Sequence, residues 1–336
     1  MPLRIFRKAP LAIAESGCYN GRVLPPRLLL LSFLCLLISG HRGLLAQNTS
    51  VIDQARLFRE ANSPAGLRDD ANNTALPASD EETVSEDDSM GVQQILKEQQ
   101  KRPTFAITAG ISEVFTSNAA LTRNDERHDL FGVAELGVSW TPRLSPTVEA
   151  NAAAHASIFR YVRTSELDFE NLGVGAGLGW APEALGGVSF FARYDLTQLL
   201  DTSGEHILTD NVFSAGTQKV FVFGRAQALT VGATGNLSFS DPVSAQRHQL
   251  SAFASYHVQI ARDFGADLLW RPAGHFYEEL GRMDFNNIIS LTMRYRLSKY
   301  ADFSAFASYG ANRSESMAFD YDVLTTGAGV VFALRF

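Results

Sequence analysis

From Pro103 to Phe336 the chain alternates apolar and polar residues with a period of two, and this pattern constrains it more than any other. In LSAFASYHVQI, Leu250, Ala252, Ala254, Tyr256, Val258 and Ile260 share one face, while Ser251, Phe253, Ser255, His257 and Gln259 share the other. YADFSAFASY repeats it, with Ala301, Phe303, Ala305, Ala307 and Tyr309 set against Asp302, Ser304, Phe306 and Ser308. Successive side chains of a strand point to opposite faces, so each such segment is a strand with one apolar and one polar face. Twelve of them fall near 103–115, 128–141, 146–160, 168–181, 187–199, 211–223, 225–239, 246–260, 263–275, 284–297, 300–311 and 319–336. The sixth is the weakest, because Lys219 interrupts its apolar face, and a bulge is expected there.

The connections decide what these strands build. TPRLSP, APEALG, FGR, IARD and RLSKY, all short, follow the even strands. SNAALTRNDERH, RTSELDF, LLDTSGEHILTD, SDPVSAQR, FYEELGRM and NRSESMAF, longer and polar, follow the odd ones. An even number of antiparallel strands with short turns at one rim and long loops at the other describes a bacterial outer-membrane barrel. A soluble sandwich has no reason to segregate its loops this way. The fold expected is therefore all-β: a closed antiparallel transmembrane β-barrel of about 12 strands, with short periplasmic turns and long extracellular loops. In hydrocarbon every backbone N–H and C=O must be paired within the protein, so strands cross only as a closed ring. Past residue 46 no run reaches the ~18–20 apolar residues of a membrane helix. Twelve strands lie between eight-stranded barrels filled by their own side chains and the wide channels of sixteen to eighteen strands, so a narrow or partly obstructed pore is expected.

Each face then has its own chemistry. The apolar face ends in aromatics near the short turns: Trp140, Trp180, Phe223, Tyr295 and Tyr300. Of these, Trp140, Trp180, Tyr295 and Tyr300 are the candidate interfacial girdle, where amphipathic rings sit at headgroup level. The polar face carries Glu135, Glu149, His155, Arg193, Asp195, His257, Asp267, Arg271, Arg294, Arg296, Asp302 and Arg335. Hairpins centred on the short turns set Arg296 opposite Asp302 and His257 opposite Asp267. Opposite charges facing each other across strands stiffen the wall, whereas unpaired ones line a constriction and bias the charge of what passes. Arg193, Arg271, Arg294, Asp195, Asp267, Glu135 and Glu149 are the candidate lumen-lining residues; the three arginines stand out because they fall away from the short-turn rim. Gly173, Gly175, Gly177 and Gly179 also point inward. A hairpin centred near Ala184 would set Gly177 against Phe191 and Gly175 against Arg193, with large neighbours filling the space the glycines leave.

The first hundred residues differ in texture. Arg4, Arg7, Lys8, Arg22 and Arg27 precede the apolar run LLLLSFLCLLI and a small-residue exit at Ala46. Residues 1–46 read as a signal peptide, with both cysteines inside it, so the exported chain uses no disulfide. Residues 47–100 hold eleven acidic and four basic residues and read as an acidic, disordered periplasmic tether. Within it GVQQILKEQQ could form a helical turn or two, as a plug or docking helix. Residues 101–336 form the barrel, with 19 basic and 24 acidic residues; with the whole chain at −7, a nucleic-acid partner is not expected.

The last strand, LTTGAGVVFALRF, ends at Phe336 with Leu334, Phe332, Val330 and Ala328 on one face. It resembles the terminal strand of Gram-negative outer-membrane barrels, and GISEVFTSNAAL resembles the first-strand motif of the β-barrel porin families. The resemblance covers 103–336 and implies that Phe336 is an insertion cue for the outer-membrane assembly machinery. It implies as partners outer-membrane lipid, lipopolysaccharide and a small polar solute or exported saccharide, with no cofactor. A non-transporting interaction barrel with ligand-binding loops is the competing class. An outer-membrane acyl hydrolase is a minor alternative: His155-Ala156-Ser157 resembles the His-x-Ser pair of such enzymes, but alternation turns His155 and Ser157 inward, away from an acyl chain, and Ile158 stands where an Asn usually follows. The seven histidines are scattered, and no metal site is expected.

Overall fold

The computed structural model describes residues 48–62, 103–124, 126–278 and 281–336. Among the described residues one helix, α1 (Asn48–Asn62), precedes twelve strands. These are β1 (Phe105–Thr116), β2 (Asp129–Trp140), β3 (Val148–Tyr161), β4 (Phe169–Trp180), β5 (Val188–Asp201) and β6 (His206–Phe223). They continue as β7 (Gln227–Asp241), β8 (His248–Ala261), β9 (Phe264–Tyr277), β10 (Arg282–Ser298), β11 (Ala301–Ser314) and β12 (Tyr321–Arg335). Each strand pairs antiparallel with its sequence neighbours, and β1 pairs with β12 from Ala106↔Arg335 to Thr116↔Thr325, which closes the ring. The strands run from 12 to 18 residues, beyond the ~9–11 that suffice to cross a bilayer.

Alternation holds around the ring. Leu136, Val138, Leu178, Phe213, Leu237, Leu250, Leu268 and Leu291 are exposed on the outer face, a belt of apolar side chains suited to hydrocarbon. Two amides on that face are capped by aromatic donors: Tyr194 Oη donates to Asn211 Oδ1 at 2.7 Å, and Trp270 Nε1 to Asn287 Oδ1 at 3.0 Å. This meets the need of a polar group that has no water to turn to. Trp140, Trp180, Tyr295 and Tyr300 all lie exposed at the short-turn ends of their strands or in the turn itself. Phe336 ends the chain beside Phe105, ring centroids 6.1 Å apart, and Phe105 O accepts its N–H.

Four expectations need correction. The strands continue into several of the long connections: β5 and β6 absorb most of LLDTSGEHILTD and leave only 202–205, so the contrast between the rims is milder than the sequence suggested. No bulge occurs at Lys219; β6 pairs through Lys219↔Val231 unbroken, and the register shift lies at Leu199/Leu200. Lys219 sits near the rim opposite Val188, its ammonium 5.2 Å from the Phe221 ring centre, so a long side chain can carry its charge away from the belt. The β4–β5 hairpin is offset by two residues, with Gly175↔Asp195, Gly177↔Arg193 and Gly179↔Phe191. Its turn holds a single 3-10 turn (Glu183–Leu185) followed by Gly186 and Gly187 at φ +57° and +84°, which moves the hairpin centre without changing either face.

The fourth concerns the tether. Residues 48–62, read as part of a disordered segment, are helix α1; the signal peptide, residues 63–102 and GVQQILKEQQ lie outside the described residues. Ala55, Leu57, Arg56, Gln54 and Glu60 favour helix. Val51, Ile52, Ala55 and Phe58 recur at helical spacing on one side.

Candidate functional site

Helix α1 lies within the ring, bonded to the bore faces of strands on opposite sides of it. Val51, Ile52, Gln54, Arg56, Leu57, Glu60 and Ala61 are all buried. One half of the surrounding wall is apolar: Val114, Phe131, Val133, Phe159, Phe169, Leu199 and Leu208 form one cluster with Val51 and Ile52. Phe58 enters it edge-on, its ring 5.3 Å from Phe159, 6.1 Å from Phe131 and 6.4 Å from Phe306. Such edge-to-face contacts each add about 0.5–1.5 kcal/mol beyond burial.

The other half is polar. Arg56 Nη2 donates to Asp210 Oδ2 at 2.9 Å, and Asp210 also accepts from the Ser238 and Ser240 hydroxyls. Arg247 Nη2 donates to Glu60 Oε1 at 2.6 Å, and Arg271 Nη1 to the Glu60 carbonyl at 2.6 Å. Gln54 Nε2 donates to the carbonyls of Asn118 and Ala119, both at 2.9 Å, in the β1–β2 connection. That connection folds in over the helix: Leu121, buried with Leu57 and Ala61, takes a left-handed φ of +51°, a conformation that costs a non-glycine residue roughly 1–2 kcal/mol. The N-terminal half of α1 thus meets the long-loop rim, and its C-terminal half meets Thr197 and Arg271 on the strands.

Toward the short turns the bore is lined by ion pairs. Arg193 Nε donates to Asp195 at 2.8 and 2.9 Å; His257 Nδ1 lies 2.8 Å from Asp267, with Arg294 3.8 Å from the same carboxylate. Asp302 takes Arg296 at 3.7 Å and Arg335 at 4.0 Å. The registers Arg296↔Asp302 and His257↔Asp267 are those the hairpin geometry predicts. Glu135 and Glu149 lie on the bore face as well, Glu135 folded over Gly110. All seven lumen-lining candidates therefore face inward, but Arg193, Arg271 and Arg294, expected to be unpaired, each have a polar partner. Arg193 and Arg294 also lie in the half of their strands nearer the short turns, not away from that rim as expected. His155 and Ser157 face inward too, and Asn171 Nδ2 reaches both at 3.4 Å. Gly173 lies beneath the His155 ring and Gly175 beneath Arg193 and Asp195, so large neighbours fill the glycine stripe as expected.

Sequence reasoning missed Asp210, Arg247, Arg282 and Asp284, and it missed α1 itself. The signal for α1 was present: Phe131, Val133, Phe159, Phe169 and Leu199 are apolar residues on a face expected to be polar. Such a patch needs something to cover it.

The closed ring of twelve antiparallel strands, apolar outside and occupied within, has the fold of outer-membrane β-barrels. No protein-family model and no curated protein matches the sequence. Among solved structures, an outer membrane channel from Pseudomonas putida F1 aligns with 73% of this chain and 100% of its own, at 9% identity and a TM-score of 0.50. The beta domain of the Bordetella autotransporter BrkA aligns with 69% of this chain and 100% of its own, at 12% identity and a TM-score of 0.43. At these identities the likeness is one of fold.

Proposed function

We propose that this chain is an outer-membrane channel for small polar solutes or an exported saccharide, closed at its long-loop end by helix α1. One observation carries the reading: charged side chains turned into the bore near the short turns remain solvent-accessible, Arg294 at 32% and Asp302 at 28%. A barrel filled by its own side chains would bury them, and their exposure supports a solvent-accessible vestibule in this half. On this reading residues 1–46 direct export, Phe336 cues insertion by the assembly machinery, and the outer belt and girdle contact lipid and lipopolysaccharide. The long loops then face outward and the short turns the periplasm.

The near-complete burial of α1 supports a second reading, a non-transporting barrel whose loops bind a partner. Liposome swelling separates the two. The full chain should admit small sugars slowly and a folded variant lacking 48–62 at least tenfold faster. If that variant leaves the vesicles sealed, the interaction barrel is correct.

A further inference from the structure

We propose that the polar wall facing α1 is a recognition site for the carboxylate of a small organic acid, sugar acids included, and that Glu60 occupies it as a tethered stand-in. The inference rests on the channel reading only for the route by which such an acid arrives. Two guanidiniums from separate parts of the wall converge on one acidic residue: Arg247 on the Glu60 carboxylate and Arg271 on its carbonyl, each at 2.6 Å. Together they read a carboxylate and a second oxygen a few bonds away, the arrangement a sugar acid presents with its carboxylate and neighbouring hydroxyls. Guanidinium is the cation best matched to a carboxylate, through charge-assisted bonds of fixed direction.

The wall around this pair is built in advance. Arg282 is held between the rings of Tyr277 and Phe319, 3.9 and 3.6 Å from their centroids. His275 is 3% exposed, and its Nε2 has no hydrogen-bond partner. A small cavity opens between Asp53, Arg247, His275 and Arg282. Arg282 already pairs with Asp284 at 3.0 Å and Asp210 with Arg56, so the wall brings Arg247 and Arg271 to Glu60 as the acidic residue between them, and cations held in a low-dielectric wall favour an anion there. Glu60 and Asp53 supply that charge when the helix is docked; a permeating acid supplies it when the helix is displaced. A neutral sugar of the same size leaves the arginines unmatched, so the site discriminates by charge.

The test is equilibrium dialysis of radiolabelled glucuronate against the full-length protein in detergent micelles, with glucose as the neutral control. Glu60→Ala vacates the carboxylate position on Arg247 while leaving the backbone carbonyl on Arg271, and should bind glucuronate at least tenfold more tightly than the native chain, while glucose is not retained. Adding Arg247→Gln in that background should weaken binding at least tenfold. Loss of the compact band on unheated gels identifies a variant that has not folded; Glu60→Gln, which keeps the shape and removes the charge, then takes its place. Equal affinity of the native and Glu60 variants, binding that survives Arg247→Gln, or equal retention of glucose would each overturn the proposal and leave the arginines as a latch for α1 alone. Dialysis reads binding without current, so a barrel that fails to conduct removes the channel and not this result.

Discussion

Gly232 and Gly132 both sit in barrel strands, on opposite faces, and a methyl group would mean different things at each. A Cβ on Gly232 would lie 2.5 Å from the Thr217 carbonyl and 2.5 Å from the Phe253 ring, whereas a Cβ on Gly132 meets nothing within 4 Å. Gly232→Ala should destabilise the barrel by about 1–3 kcal/mol because backbone must give way, and Gly132→Ala should stay within about 0.5 kcal/mol of the native chain. The temperature at which the compact gel band disappears measures both; equal shifts would contradict the crowding argument. At this scale alternation told which way each side chain points, Arg193, Asp267 and Glu135 included. It could not tell what each one touches. Arg271 bonds a residue 211 positions away, and nothing local in the sequence records that.

Helix α1 was illegible for a different reason. Asp53, Arg56, Arg59 and Glu60 are charged and Asn48, Thr49, Ser50, Gln54 and Asn62 are polar, well over half of its 15 residues, and in an ordinary globular core that composition reads as solvated chain. The bore is a core of another kind, half apolar and half ionic, and it stabilises a helix with the same division. Removing one member of a buried pair is costly, so Arg56→Ala, which strands Asp210, should weaken docking by about 3–5 kcal/mol and, on the proposed channel reading, raise the open fraction in single-channel recordings. An unchanged open fraction would count against the latch. Docking should also depend on pH. Burial pushes the Asp53 carboxyl up despite nearby Arg247 and Arg56. Burial acts the same way on Glu60, but Arg247 beside it prevails and holds that carboxyl below its ordinary 4.5. A carboxyl raised on docking binds its proton more tightly in the docked state, so acidification from neutral toward the raised Asp53 value should close the channel further. A carboxyl lowered on docking contributes above its undocked value and loses that contribution as the pH falls through the docked one. Below the ordinary 4.5 of Glu60 the helix should therefore loosen. Open probability should therefore change between pH 7 and about 3, the two carboxyls acting in opposite directions; a flat curve would separate gating from both.

For the whole molecule, strand number, antiparallel order and the inner and outer faces were all readable, because a period of two is set by backbone geometry and survives any tertiary context. Closure followed from the need to pair every backbone group in lipid. The protein should accordingly stay folded only in detergent or bilayer. Sedimentation of the 103–336 region as a folded, dissolved monomer without detergent would refute the assignment of the apolar belt. Loop lengths were less readable, since strands such as β5 and β6 remain paired into polar sequence that resembles loop.

The seam between β1 and β12 joins the beginning of the barrel to its end, and α1 lies upstream of both in the chain yet inside the ring they complete. A hydrogen-bonded cylinder has no side entrance. Either the strands curl around α1 before the last pair zips, or the segment is threaded afterwards through an open end. In the first case α1 is the mandrel on which the strands are wound, and mutations that spoil its fit, such as Phe58→Ala, would slow folding of the barrel as well as loosen the docked helix.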